Sequence, residues 1–154
     1  MRDIHQWFAG YSRDHQNPTN RALHWVCVPA ILWAVIAALW VLPVPSWIGK
    51  PGFWAGVTMF VAFLFYQRLS RNIGWAMAAS FIVLGLITAG LYHLLGAQYL
   101  LWLALGVFVL AWIGQFIGHR FERQRPSFLT DLTYLLIGPA WLASKLMRRF
   151  GISY

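Results

Sequence analysis

Two histidines, a phenol and a carboxamide crowd the start of the first long apolar run: Tyr11, His15, Asn20 and His24, with Pro29 beyond them. A second polar group, Gln115, His119 and Glu122, closes the last uncharged run. Imidazoles with few carboxylates suit zinc, iron, copper or nickel better than magnesium or calcium. Whether they can share one ion depends on spacing. On a single continuous helix, nine residues would put His15 and His24 on opposite faces. Asn17-Pro18 lies between them, and Asn is a good N-cap while Pro is a good first helical residue. A helix is therefore expected to start there, which lets the preceding chain fold back and the two imidazoles converge. Asn20, His24 and Cys27 then fall at i, i+4 and i+7, on one stripe of that helix. Gln115, His119 and Glu122 repeat the pattern, and Gly118 leaves room for another helix or a ligand to approach beside His119.

The elements that must carry these groups are apolar. Of 154 residues, 60% are hydrophobic and only 10% are charged, against about a quarter charged in a soluble domain. The expected fold is all-α: a single polytopic membrane domain with four transmembrane helices, at about residues 22–42, 52–66, 73–95 and 99–117. Pro29 lies inside the first span and should kink it. The second is short for a hydrocarbon core of roughly 30 Å. Ahead of the spans, Ile4, Trp7, Phe8 and Tyr11 share one face of a short amphipathic helix, expected to lie at the membrane interface. A last apolar stretch, Phe128 to Leu146, is interrupted by Gly138-Pro139 and is read as a surface or re-entrant helix pair.

Loop charges give the orientation. Arg2, Arg13 and Arg21 precede the first span, Lys50 follows it, and Arg68 and Arg71 follow the second. The connection after the third has none, and Arg120, Arg123, Arg125, Lys145, Arg148 and Arg149 follow the fourth. With four spans and a cytoplasmic N-terminus, every basic residue but Lys50 is cytoplasmic, eleven of twelve, a strong positive-inside bias. Both termini are then cytoplasmic, in a bacterial inner membrane or, in a eukaryote, the ER membrane. The same orientation sorts the histidines. His24, His119, His5 and His15 share the cytoplasmic side, whereas His93 lies about twenty residues into the third span, roughly 30 Å away.

Several classes are excluded. The basic residues sit in gaps between apolar runs and form no stripe with interleaved aromatics, so no nucleic-acid partner is expected. One cysteine excludes an internal disulfide framework. More than twenty mostly polar residues precede the first apolar run, so no cleavable signal peptide is expected. There is no HExxH pair, no serine elbow and no glycine-rich phosphate loop, and five histidines are too few for the boxes of membrane di-iron desaturases. Haem held by two histidines would need facing spans at similar depth. A mononuclear metal with three or four ligands fits the inventory best.

Tyr11, His15, Asn20, His24 and Pro29, followed by Gly118-His119, Glu122 and Pro126, resemble the motifs of the Mpo1-like family, and the similarity spans most of the chain. One departure is Cys27, where the family commonly has glycine. The resemblance implies an Fe(II)-dependent dioxygenase of membrane lipid metabolism. Such an enzyme shortens 2-hydroxy fatty acids by one carbon in α-oxidation, with a 2-hydroxy fatty acid, dioxygen and membrane lipid as partners. His15, His24 and His119 are then the expected metal ligands, with Tyr11, Asn20, Gln115 and Glu122 as catalytic neighbours: Asn20 and Gln115, each one turn before a ligand histidine, are placed to hydrogen-bond its free ring nitrogen through their side chains, and Glu122 is either a fourth ligand or a hydrogen-bonding partner. Arg120 and Arg21 are the nearest candidates for the substrate carboxylate. The competing reading is a non-enzymatic membrane scaffold or lipid-binding protein whose polar stripes are buried helix contacts.

Overall fold

The computed structural model describes residues 3–122 and 131–154; Arg2, Arg123, Arg125, Pro126 and the beginning of the last apolar stretch at Phe128 lie outside the described residues. Among the described residues the fold is all-helical, five helices with no strand.

Helix α1 (Ile4–Arg13) opens on a capping box: Asp3 accepts from the Gln6 amide, and the Gln6 side chain accepts from the Asp3 amide. Ile4, Trp7, Phe8 and Tyr11 are buried, as their stripe requires. What covers them differs from the expected membrane surface. The last helix supplies the cover: Trp7 meets Tyr134 edge-on at 5.2 Å between ring centroids, and Tyr11 packs on Trp141 at 5.1 Å. Aromatic rings each bury a large area, and edge-on or tilted pairing between the two helices adds to it.

Helix α2 (Pro18–Trp40) begins at the predicted break, with Asn17 Oδ1 accepting from the Thr19 and Asn20 amides. Pro29 stands inside it and leaves the Trp25 carbonyl without its helical donor. Helix α3 (Phe53–Leu69) starts after Gly52, whose φ of 92° lies in the left-handed region. A Cβ there would also come within 2.8 Å of the Trp40 ring, so both backbone and packing demand glycine.

Helix α4 (Arg71–Glu122) contains 52 residues, but Gly96 interrupts it with φ 76° and ψ 170°. Leu91 and Tyr92 before that glycine, and Leu100 and Ala104 after it, gather at Ala37 of α2. The chain doubles back at Gly96, and its two arms correspond to the third and fourth expected spans. The second arm runs antiparallel to α2: Asn20 meets Gly118, Cys27 meets Gly114, and Ala37 meets Leu100 and Ala104. Small residues recur along this seam because they let two helix backbones approach closely. At Cys27 the partner supplies the small residue: a Cβ on Gly114 would lie 2.6 Å from the Cys27 sulfur.

Helix α5 (Tyr134–Arg149) runs unbroken through Gly138-Pro139, where the sequence predicted an interruption between two helices. Pro139 does remove one helical donor. The Tyr66 hydroxyl of α3 donates to the Leu136 carbonyl at 2.8 Å and anchors the loosened turn.

Two helices, α2 and α4, are long and apolar enough to cross a membrane. Their outer faces expose large apolar side chains, among them Val26 at 70%, Leu86 at 69% and Leu110 at 70%. Apolar surface on that scale needs a cover other than water.

Candidate metal centre

The fold-back expected at Asn17-Pro18 is present. His15 follows the end of α1, His24 lies in the second turn of α2, and His119 lies one turn from the end of α4. All three are buried, and one ring nitrogen from each lies within 4.8 Å of the others. The ring centroids are 4.4 Å apart for His15 and His24, and 5.1 Å from each of these to His119.

Hydrogen bonds define which nitrogens are available. His15 Nδ1 donates to the Tyr11 carbonyl at 2.6 Å, and His24 Nδ1 donates to the Asn20 carbonyl at 2.9 Å. A carbonyl only accepts, so in each ring the proton sits on Nδ1 and Nε2 keeps its lone pair. The two Nε2 atoms face each other at 3.0 Å. Burial drives the His15 pKa down to about 3, and the neighbouring His24 pushes the same way. His15 is therefore neutral, and beside a neutral His24 no ring proton bridges the pair. Two buried lone pairs held in contact repel, and a cation between them turns the repulsion into coordination. Two imidazole nitrogens bound at right angles to one ion, at roughly 2.1 Å each, stand about 3.0 Å apart. The donor set and its spacing thus fit a transition metal.

The neighbouring polar groups sort themselves differently from the sequence expectation. Asn20 was expected to hold a histidine through its side chain; it does so through its backbone carbonyl. Gln115 was expected to serve His119 on its own helix, but lies across the seam against His24. Gln115 Nε2, His119 Nδ1 and Asn20 Oδ1 are buried polar atoms without a protein partner. Tyr11 stacks flat on His15, 4.0 Å between centroids and 9° between planes, and burial raises its phenol well above the ordinary value. Glu122 lies outside the three-nitrogen cluster: its Oε1 accepts from the Asn17 amide at 2.7 Å and from Asn20 Nδ2 at 3.0 Å. Arg21 and Arg120 are exposed, and neither lines the cavity beside the histidines. His93 is exposed and adjoins Tyr92, at the opposite end of the bundle. His5 is also exposed and lies against Tyr154.

A cavity of about 370 Å³ opens directly from the histidines. Its polar end is Tyr11, His15, His24, Gln115 and His119; its remaining walls are almost wholly apolar. Two mirrored stripes build those walls. His24, Val28, Ile31 and Val35 run along α2 at i, i+4, i+7 and i+11, and His119, Gln115, Trp112 and Phe108 run back along α4 with the same intervals. Continuing each histidine's own stripe into its span was the signal that could have found this groove. Tyr134 and Gly138-Pro139 of α5 close one side. No sequence signal tied them to the site, although Gly138 packs closely there: a Cβ would sit 3.0 Å from the Tyr11 hydroxyl.

Known proteins supply an independent comparison. The chain is 26% identical, over 97% of its own length and 82% of the relative's, to the 2-hydroxy-palmitic acid dioxygenase MPO1 of Saccharomyces cerevisiae. No solved structure matches it. The family model described as "2-hydroxy-palmitic acid dioxygenase Mpo1-like" matches residues 1–150, and the chain belongs to that Mpo1-like family.

Proposed function

We propose that this chain is an Fe(II)-dependent dioxygenase, embedded in a membrane by four spans, that removes one carbon from 2-hydroxy fatty acids. The observation that carries the reading is the pair of imidazole Nε2 atoms facing at 3.0 Å, with His119 beside them, at the head of an apolar groove. A buried polar cluster serving only as a helix contact would be expected to pair its donors with acceptors. The family's described substrate is an amphiphile, and the groove has the matching polarity: imidazoles at one end and hydrocarbon walls along the rest.

The overall reaction balances without a second reductant. R–CH(OH)–COOH and O₂ give R–COOH, CO₂ and H₂O, and the substrate supplies all four electrons. His15, His24 and His119 hold the metal. Ferrous iron, when bound, supplies the one-electron chemistry that lets dioxygen react with a closed-shell 2-hydroxy acid. The Tyr11 and Asn20 carbonyls keep the protons of His15 and His24 on Nδ1, so both rings present Nε2. The Tyr11 ring lies over His15 and shields that side from water. Gln115 offers a free amide donor at the polar end, where the substrate's oxygens enter. Arg21 and Arg120 act from exposed positions, by drawing the anionic substrate toward this end rather than by binding its carboxylate inside.

Purified protein tests the reading. The expected result is about one iron per chain, with oxygen uptake on addition of a 2-hydroxy fatty acid and release of the acid one carbon shorter. A membrane scaffold would hold no stoichiometric metal, and that outcome would overturn the proposal.

A further inference from the structure

The three histidines come from three separate carriers: the connection after α1, the first turns of α2, and the end of α4. Glu122 touches or shares the carrier of each. Its Oε1 accepts from the amide of Asn17, two residues beyond His15. The same oxygen accepts from Asn20 Nδ2, and the Asn20 carbonyl receives the His24 Nδ1 proton. Glu122 itself lies one helical turn after His119. Asn20 has 0% of its surface exposed and packs onto Gly118, where a Cβ would collide with Asn20 Oδ1. The carboxylate is also well placed electrostatically. It faces the first turn of α2, where the helix dipole favours negative charge.

We propose that Glu122 is a positioning residue rather than a fourth metal ligand. One carboxylate oxygen fixes the register between the His15 connection, the start of α2 and the end of α4, and so sets the separation of the three imidazoles. The proposal rests on the three-histidine metal reading for its consequence, but its mechanical part concerns Asn17 and Asn20 alone. Hydrogen bonds to a carboxylate oxygen are stronger than neutral ones, and Glu122 makes two of them from a half-buried position, so a single side chain can carry this constraint.

The test uses the full chain in detergent, with Glu122→Gln and Glu122→Ala. A glutamine keeps an acceptor oxygen in place but lacks the charge of a ligand; alanine removes both. Two readouts are needed. The first is amide hydrogen exchange over residues 15–20 in the metal-free protein. Alanine should accelerate it by at least tenfold, while glutamine should hold it much closer to the parent rate. The second is Co(II) binding, followed by its visible absorption. Glutamine should keep the parent spectrum, with affinity reduced by only a few-fold. Alanine should weaken affinity by on the order of 10–100-fold, the range for lost partners of metal ligands. A changed Co(II) spectrum in Glu122→Gln would make the carboxylate a ligand and overturn the proposal. So would unchanged exchange in Glu122→Ala. If that variant does not fold, the glutamine spectrum alone still separates ligand from positioner. Failure of the parent chain to bind Co(II) would refute the metal reading and the proposal's consequence for it, while exchange would still decide the mechanical part.

Discussion

At the scale of single residues, the arrangement makes sharp demands. His15→Ala, His24→Ala and His119→Ala should each lose stoichiometric iron, read by metal analysis of purified protein. His93→Gln should keep it, because His93 is exposed at the far end of the bundle; equal losses for His93 and His119 would displace the site. Gly118→Ala should cost on the order of 1–3 kcal/mol, as overpacking does, because its methyl collides with Asn20 Oδ1. A shift in melting temperature measures it, and an unshifted value would show that α2 and α4 can separate there at little cost. Much at this scale was legible in the sequence. Asn17-Pro18 announced the break, and histidine spacing gave the faces. Which atom of a residue does the work was not legible. A stripe of i, i+4 and i+7 places Asn20 one turn from His24, but it does not distinguish its carboxamide from its carbonyl. Arg120 follows His119 by one residue, about 100° round the helix, and that turn takes it off the buried face.

At the scale of elements, the groove between α2 and the second arm of α4 controls how a chain is held. From His24 to Val35 it extends roughly 16 Å at 1.5 Å per residue, and Val35 at its far end is 39% exposed. An open end does not reject a long tail. Each methylene buried within the groove contributes about 0.8 kcal/mol, or roughly fourfold. Across a series of 2-hydroxy acids, kcat/KM should rise by about that factor per carbon and then level off once the tail passes Val35. A sharp optimum with decline at greater length would show that the groove is closed. Tyr66→Phe should weaken the fold by about 1 kcal/mol, the usual value for a lost buried hydrogen bond, because it removes the donor to Leu136 of α5. Chemical denaturation would measure this loss, and a change below a few tenths would relieve Tyr66 of that role. The unbroken course of α5 was hidden from sequence reasoning for the same reason. Pro139 announces a lost donor, but the anchoring hydroxyl comes from a residue more than seventy positions earlier, and no local pattern reports it.

At the scale of the whole molecule, the helical class followed from composition, and the reversal at Gly96 separates the two arms that hydropathy had marked as spans. The covering of α1 by α5 was not legible, since an amphipathic stripe fixes which face is buried but not what buries it. For the four-span arrangement, reporter fusions at residues 1 and 154 should both report the cytoplasmic side, following the placement of eleven of twelve basic residues; termini on opposite sides would exclude it. The reversal at Gly96 has a further consequence in the order of synthesis. His15 and His24 leave the ribosome early, close together in the chain, while His119 arrives 95 residues after His24, near the end of the second arm of α4. A nascent or truncated chain that ends before the second arm has two of the cluster's imidazoles and lacks the third. The three-histidine cluster is therefore completed only once the second arm of α4 has been made and has folded back along α2.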